Sequence, residues 1–236
     1  MCLIALAHRA SSRFPFVVAA NRDEDYERAT HDAHRWSDAP EVVGGKDAVH
    51  GGTWLAVRTA GRFAAVTNLR GAEPRTRSRG FLVRDFVLSD VAVDEYARTI
   101  AAVADEYAGF HLLAGDANGE LMYIAPEQQT PLAPGVHAFS NAPAGEEWPK
   151  VAVAIAQMQS ALAITSVDVL IDELMRFLAT PRGTDSPMSE VFIRGERYGT
   201  RSSTVVIATE TEIVFAEQSY ARGGVMVGER RRFSLT

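Results

Sequence analysis

The sequence predicts an α+β protein in which helices cover antiparallel sheets. Its strand-like segments come in hairpin pairs, which is typical of antiparallel pairing. Its helical segments come as one central pair and one later pair, and do not alternate with single strands as in a parallel sheet. A four-layer αββα sandwich of two sheets with helices outside fits this order, and so does a two-layer α+β fold.

The strands are predicted from short apolar runs bounded by turn residues. One strong turn signal is Asp116-Ala117-Asn118-Gly119, between two apolar runs. The predicted hairpins are 2–7 with 16–20, 53–58 with 62–68, 110–114 with 121–124, and 204–208 with 213–216, and 136–139 is a single short strand.

The helices are predicted from apolar residues at helical spacing without interior glycine or proline. They are 81–88 and 93–107 in the middle of the chain, then about 149–162 and 167–178, with Thr165 or Ser166 as the cap of the last. The stretch 180–199 is polar and contains glycine and proline, which predicts a loop or lid. Since no linker or repeat interrupts this order, residues 1–236 are predicted to form a single domain.

Composition excludes several classes of protein. A net charge of −6 argues against a general nucleic-acid binder or a protein of anionic membrane surfaces. No apolar run approaches the roughly 20 residues of a membrane-spanning helix, and no basic segment precedes the first apolar run as in a secretory signal. One cysteine in 236 residues fits a reducing compartment, so a cytoplasmic location is expected. Oligomeric state is left open.

The single cysteine, Cys2, becomes the N-terminal residue if Met1 is removed. A thiol and a free α-amine then share one residue, which gives a nucleophile with its own general base. The first predicted hairpin brings the polar cluster Asn21-Arg22-Asp23-Glu24 beside Cys2. The alternatives are that Cys2 is a small core hydrophobe and that the cluster is a solvated acidic turn. The histidines have no metal-ligand spacing, so no metal site is expected.

Seven blocks in order resemble the NRDE family, which includes the transport-and-Golgi-organisation protein 2 homologues. Together they cover residues 1 to about 204, nearly the whole chain. The blocks are Met1-Cys2, Asn21-Arg22-Asp23-Glu24, Gly51-Gly52-Thr53-Trp54-Leu55, Thr67-Asn68, Gly109-Phe110-His111-Leu112-Leu113, Ser140-Asn141-Ala142-Pro143 with Trp148-Pro149-Lys150, and Tyr198-Gly199-Thr200-Arg201-Ser202-Ser203-Thr204.

The resemblance implies an N-terminal nucleophile (Ntn) hydrolase fold, the αββα sandwich, related to cysteine amidases such as penicillin V acylase, bile salt hydrolase and acid ceramidase. It implies Cys2 as nucleophile and Asp23 as the carboxylate that orients the α-amine. Asn141 and Asn68 are then oxyanion donors, and Arg201 tunes charge near the site. The binding residues expected from the same blocks are Asn21, Arg22, Trp54, Ser140 and Tyr198.

Two functions follow from the resemblance. The first is a cofactor-free amidohydrolase for a small or lipid-like amide. The second is a non-catalytic carrier of heme or another hydrophobic ligand, since the family has been linked to heme trafficking. One position favours the carrier: where the amidases usually have an arginine just before the block that begins at Asn21, this chain has Ala20.

Overall fold

The computed structural model describes residues 1–117, 119–143, 145–183 and 186–236. These residues form two compact units. The first unit comprises Met1–Arg28 and Pro134–Ser234, and the second comprises Ala29–Ala133 with Leu235–Thr236. The expectation of one domain over 1–236 stays a prediction.

Thirteen strands and four α-helices are formed by the described residues. The strands are β1 (Leu3–His8), β2 (Phe16–Asp25), β3 (Thr30–Arg35), β4 (Val42–Asp47), β5 (Leu55–Arg58), β6 (Arg62–Asn68), β7 (Phe110–Asp116), β8 (Leu121–Ala125), β9 (Gln128–Pro131), β10 (Gly135–Phe139), β11 (Tyr198–Ala208), β12 (Ile213–Ala221) and β13 (Val225–Leu235). The helices are α1 (Gly80–Leu88), α2 (Val93–Ala102), α3 (Pro149–Ala161) and α4 (Val167–Ala179). Over the described ranges, every helix is too short or too polar to span a bilayer.

The first unit is a six-stranded sheet in the order β10-β1-β2-β11-β12-β13, with α3 and α4 packed on one face. Alternate residues of β1 and β2 point to the helices because successive strand residues face opposite sides. The core under the helices includes Leu3, Val17, Leu170, Leu174 and Val205, all essentially inaccessible to solvent.

The second unit is a seven-stranded meander in the order β3-β4-β5-β6-β7-β8-β9. Helices α1 and α2 pack on it, and α1 contributes Leu82, Val83, Phe86 and Val87 to its core. The indole nitrogen of the buried Trp36 donates to the Gly44 carbonyl oxygen at 3.0 Å, so even this ring has its polar atom paired.

The predicted fold class is confirmed, with two antiparallel sheets and two pairs of helices. The helix ends fall close to prediction, and Ser166 is the cap of α4, where its hydroxyl accepts from the Val169 N–H at 3.5 Å. Helix α2 ends earlier than expected, at Ala102, and a short 3₁₀ turn follows at Ala104–Glu106. Strands β3, β4 and β9 are not among the predicted strands.

Strand β2 is longer than its apolar run. The polar residues from Asn21 to Asp25, expected to follow the strand, form its second half and pair with β11 from Tyr198 to Ser203. The pairing shifts by one residue between Thr200 and Ser202, so β11 carries a β-bulge at Arg201. A polar half-strand inside a sheet needs local hydrogen-bond partners, and these partners form the candidate site.

Candidate functional site

Three strands of the first unit bring the chain terminus to the polar half of β2. Strand β1 pairs with β2 from Leu3 opposite Asn21, and β11 places Thr200 opposite Asp23. Continuing the β1–β2 register beyond Leu3 runs the first two residues toward Arg22 and Asp23. The hairpin predicted from the sequence therefore delivers Cys2 to the expected cluster.

Asp23 lies at the centre of this cluster. Its carboxylate is fully buried, and Oδ2 is 3.2 Å from the Met1 α-amine. Its other oxygen, Oδ1, accepts from the Thr200 hydroxyl at 2.7 Å. A buried carboxylate is unfavourable without such partners, so the terminal amine and the Thr200 hydroxyl both help to accommodate Asp23.

Cys2 lies against the backbone of the same residue. The Asp23 N–H donates to Sγ at 3.4 Å, and the Asp23 carbonyl oxygen is 3.7 Å from Sγ. Burial raises the pKa of the Cys2 thiol, although the neighbouring Met1 ammonium acts in the opposite direction. In the chain that retains Met1, the thiol is therefore protonated at neutral pH and is a weak nucleophile.

Tyr198 closes the other side of the terminus. Its hydroxyl oxygen accepts from the Met1 α-amine and its proton is donated to the Asp23 carbonyl oxygen at 3.1 Å. Burial raises the pKa of this phenol far above its usual value, so it stays neutral. The sequence predicts Tyr198 as a binding residue, and the group it binds here is the chain's own amine.

Lys150 is a member of the cluster that sequence reasoning missed. It is the second residue of α3, its side chain is inaccessible to solvent, and its ammonium donates to the Met1 carbonyl oxygen. Burial lowers the pKa of Lys150, opposed by the charges of Asp23, Cys2 and Glu190. A signal was present in the sequence, because Lys46 and Lys150 are the only lysines among 24 basic residues.

The side chain of Asn21 is buried and forms hydrogen bonds inside the first unit. Its side-chain amide donates to the carbonyl oxygens of Leu178 and Val191, each at 2.8 Å, and its oxygen accepts from Ser203 Oγ at 2.6 Å. These bonds tie β2 to the end of α4 and to the segment before β11. The structure thus gives Asn21 a clear structural role, and a ligand-binding role stays a prediction.

Two arginines lie near the cluster, and the charge of Arg22 acts to lower the pKa of the Cys2 thiol. Arg22 is buried and its guanidinium lies 3.4 Å from the Glu24 carboxylate. Arg201, at the bulge, donates from Nη1 to the carbonyl oxygens of Asp25, Tyr26 and Arg28 at 2.9–3.1 Å. These bonds hold the turn after β2, so the charge-tuning role expected for Arg201 stays a prediction.

Ser140 and Asn141 follow β10, the strand on the other side of β1. Both are buried, and Ser140 Oγ accepts from the Ala142 N–H at 3.2 Å. Strand β10 pairs with β1 up to Phe139 opposite Ile4, and two more residues of this register reach Asn141 and Cys2. Asn141 thus follows β10 at the same end of the sheet as Cys2, and its oxyanion role stays a prediction.

Asn68 and Trp54 belong to the second unit. Asn68 is the exposed last residue of β6, and Trp54 is half-buried, with its carbonyl oxygen accepting from the Val66 N–H at 2.8 Å. Their oxyanion and binding roles stay predictions. Among the described residues, no three His, Cys, Asp or Glu side chains form a group that could hold a metal ion.

The predicted loop 180–199 is partly core. Val191 and Phe192 are buried, and Ile193 and Thr200 exchange hydrogen bonds of 2.9 Å. Residues 184 and 185 lie outside the described part of the chain. A pocket of about 280 Å³ opens in this region, lined by Pro181, Gly183, Pro187, Glu190, Phe192, Ile193 and Arg194.

Sequence comparison assigns the family. A family model described as Transport and Golgi organisation 2 matches residues 1–222. The chain belongs to this family. It is similar to the Transport and Golgi organization protein 2 homologs of Bos taurus, at 30% identity over 89% of this chain and 88% of the relative, and of Homo sapiens, at 28% over 96% and 94%.

Comparison with solved structures identifies the fold as that of Ntn hydrolases. Penicillin V acylase from Agrobacterium tumefaciens matches with a TM-score of 0.52 and 12% identity over 93% of this chain and 83% of that protein. A Caenorhabditis elegans N-acylethanolamine-hydrolyzing acid amidase ortholog gives 0.51 and 12% over 87% and 92%. Conjugated bile acid hydrolase from Clostridium perfringens gives 0.55 and 8% over 99% and 92%. The fold expected from the sequence is thus confirmed.

Proposed function

We propose that this chain is a cysteine amidohydrolase that uses Cys2 as an N-terminal nucleophile. The observation that carries the proposal is the contact between the buried Asp23 carboxylate and a terminal α-amine at 3.2 Å. An Ntn enzyme needs a nucleophile, an amine base and a group that orients the amine, and here all three types of group lie together.

Removal of Met1 is the first requirement. While Met1 is present, the Cys2 nitrogen is a peptide amide and has no basic lone pair. After its removal, the Cys2 amine has to move by about 3.5 Å, one residue length, to reach the place of the Met1 amine. Cys2 precedes β1, which begins at Leu3, so the strand ladder does not hold it in place.

The proposed reaction then follows the same steps as other acyl transfers. The α-amine takes the thiol proton, and Sγ attacks the amide carbonyl carbon to form a tetrahedral oxyanion. Collapse breaks the C–N bond, and the leaving amine receives the proton from the α-ammonium group. The α-amine next activates a water molecule, which hydrolyses the thioester and releases the carboxylic acid. Asn141 is the proposed oxyanion donor on the first unit.

The proposed substrate is a small or lipid-like amide. The structural neighbours are named as an acylase, an acid amidase that hydrolyses N-acylethanolamines, and a hydrolase of conjugated bile acids. These names support hydrolysis of an acylated substrate, and the amidase names amide chemistry directly. No cofactor is needed for this reaction.

The test is Cys2-dependent turnover in protein whose mass shows that Met1 is absent. We expect Cys2→Ala to lower hydrolysis of an acyl-amide panel by roughly 10³-fold or more, because the covalent step is lost. Cys2→Ser is the matched control, which keeps the side-chain shape with a poorer nucleophile. Retention of Met1 in protein from its native host, or equal turnover by Cys2→Ala, would contradict the proposal.

A second candidate is a carrier of a hydrophobic ligand, and the pocket beside Phe192 and Ile193 favours it. Heme is the less suitable ligand there, since none of the described lining residues is a His, Cys, Met or Tyr that could bind its iron. Titration with a fluorescent fatty acid and, separately, with heme tests this candidate. Saturation at one ligand per chain that is lost in Phe192→Ala, without Cys2-dependent turnover, would replace the hydrolase assignment.

A further inference from the structure

The most unusual buried charge in the described residues is Lys150. Its side chain is inaccessible to solvent, and within the described residues its ammonium hydrogen-bonds only to the Met1 carbonyl oxygen. Its ammonium also lies 5.6 Å from the ring centroid of Trp148. An ammonium has three protons to donate, so one acceptor leaves most of its hydrogen-bonding capacity unused.

The acceptor that Lys150 does have belongs to the residue that the proposed function removes. The Met1 carbonyl carbon is bonded to the Cys2 nitrogen, so Lys150 lies within one peptide unit of the future α-amine. When Met1 leaves, this carbonyl partner leaves with it, and Cys2 becomes the residue nearest to the Lys150 ammonium. A buried ammonium is costly without an anionic or polar partner, and the site must supply another one.

The groups that face Lys150 after this change are few. On β2 there is the Asp23 carboxylate, whose Oδ1 is already bonded to Thr200. At the terminus there are the Cys2 thiol and the new α-amine, and after α4 there is Glu190, whose carboxylate accepts from the Arg182 N–H at 3.0 Å. Two of these, the thiol and the α-amine, are the nucleophile and base of the proposed reaction.

We infer that Lys150 is a positioning residue that sets the charge state of the N-terminal nucleophile, by favouring the thiolate and the uncharged α-amine of Cys2. This inference rests on the proposed function, since it needs a free Cys2 amine. A nearby cation stabilises a thiolate and disfavours a second ammonium group. Arg22 on β2 acts on the thiol in the same direction as Lys150, whereas the Asp23 carboxylate acts in the opposite direction. Both effects move the thiol–amine pair toward the form that attacks a carbonyl.

The choice of lysine fits this role. The chain uses arginine at every other basic position except Lys46, which is partly exposed, pairs with Asp38 at 2.9 Å and lies over the Trp36 ring. A guanidinium is larger and spreads its charge over a plane, whereas an ammonium is a compact point charge. Position 150 is enclosed beside the chain terminus, so the smaller ammonium group of lysine suits it better than a guanidinium.

The test measures the rate of Cys2 alkylation by iodoacetamide as a function of pH. The protein is the Met1-free chain, prepared with methionine aminopeptidase where needed and verified by mass. We expect Lys150→Met to move the midpoint of the profile upward by about one pH unit and to slow alkylation near neutral pH roughly tenfold. Lys150→Arg should restore part of the rate, and Lys46→Met should match the wild type.

A second measurement uses the wild-type chain and so does not depend on folding of the variants. Lysine labelled with carbon-13 at Cε gives two side-chain signals, one for each lysine. We expect the Lys150 signal to shift when Met1 is removed and again when Cys2 is alkylated, while the Lys46 signal stays in place. An unmoved Lys150 signal, or an unchanged alkylation profile in a folded Lys150→Met variant, would overturn the inference.

The failure of this inference and the failure of the proposed function are distinguishable. Cys2-dependent amide turnover with an unchanged Lys150→Met profile would leave the hydrolase and remove the role of Lys150. A shifted profile with no turnover of any amide would leave Lys150 as a partner of the terminal thiol and remove the hydrolase.

Discussion

The two units share an architecture but differ in what they bury. Each is an antiparallel sheet with two helices, yet among the described residues the first unit buries fourteen polar or charged side chains and the second buries four. The four are Thr53, Arg62, Thr67 and His111. Each buried polar group needs a hydrogen-bond partner, so burying many of them does little for stability. Their number in the first unit therefore indicates a functional site.

The buried cations of the two units show the difference most directly. Arg62 donates to the carbonyl oxygens of Phe86 at 2.9 Å and Val91 at 2.5 Å and to Ser89 Oγ at 3.2 Å, and its guanidinium lies 3.8 Å from the Phe86 ring centroid. That is a cation used as a structural clamp. Lys150 has only the Met1 carbonyl oxygen as its described acceptor, on the residue whose removal the proposed function requires. The number of acceptors around a buried cation therefore distinguishes a structural cation such as Arg62 from a candidate site residue such as Lys150.

The largest expected effect is at Asn21. Asn21→Ala removes three hydrogen bonds from a fully buried position and takes the amide donor away from the carbonyl oxygens of Leu178 and Val191. We expect the free energy of unfolding to fall by about 3–5 kcal/mol, measured by urea denaturation.

The control for Asn21 is the asparagine at the exposed end of β6. Asn68→Ala should change the free energy of unfolding by about 0.5 kcal/mol or less. If the two variants lost equal amounts of unfolding free energy, the buried polar residues of the first unit would stabilise the fold no more than an exposed asparagine does. The comparison between the units would then fail.

An intermediate effect is expected at Thr200. Thr200→Val keeps the shape but removes the hydrogen bond to Asp23 Oδ1, and the Ile193 N–H loses its acceptor. Because one bond involves a charged group in a buried site, we expect a loss of about 2–3 kcal/mol in the free energy of unfolding.

Thr99→Val is the matched control in the second unit. Thr99 is exposed on α2, where its hydroxyl donates to the Glu95 carbonyl oxygen at 3.0 Å within the same helix. Its replacement should cost less than about 0.5 kcal/mol. If Thr200→Val lowered the free energy of unfolding equally little, the Asp23 carboxylate would not need the Thr200 hydrogen bond to remain buried.

The sequence predicts most of the fold and part of the site, for physical reasons that can be named. Apolar periodicity identifies the helices and inner strands because they bury a continuous face. It misses β9, whose residues are all exposed, and it ends β2 too early because Asn21 and Asp23 are polar yet lie within the sheet. Local pattern cannot reveal that such residues are paired across 150 or more residues of chain.

The same reason explains what was found and missed at the site. Cys2 and Asp23 were predicted as partners because one hairpin joins them. Lys150 was missed because its partner, Met1, is 149 residues away along the chain, so local sequence gives no hint of the contact. The motif Trp148-Pro149-Lys150 predicts a helix start, and it does start α3, but only the packed structure shows where the ammonium lies.

The smallest expected effect concerns His8, a histidine of the first unit. It is 2% exposed, and in the described residues its Nδ1 has no hydrogen-bond partner. Burial, with the nearby Arg9 and His137, lowers the pKa of His8 below its usual value. Between the folded and unfolded pKa values the unfolded chain therefore binds more protons, so this contribution to stability is present above about pH 6.5 and is lost as the pH falls.

The measurement is the slope of the free energy of unfolding against pH in the acid range. One differential proton accounts for at most about 1.4 kcal/mol per pH unit. We expect His8→Gln to have a smaller slope than His50→Gln, which replaces an exposed histidine of the second unit beside Asp47. Identical slopes for the two variants would mean that the imidazole of His8 is protonated in the folded protein as readily as in the unfolded chain. In that case the polar burial of the first unit would be less rigid than its hydrogen bonds indicate.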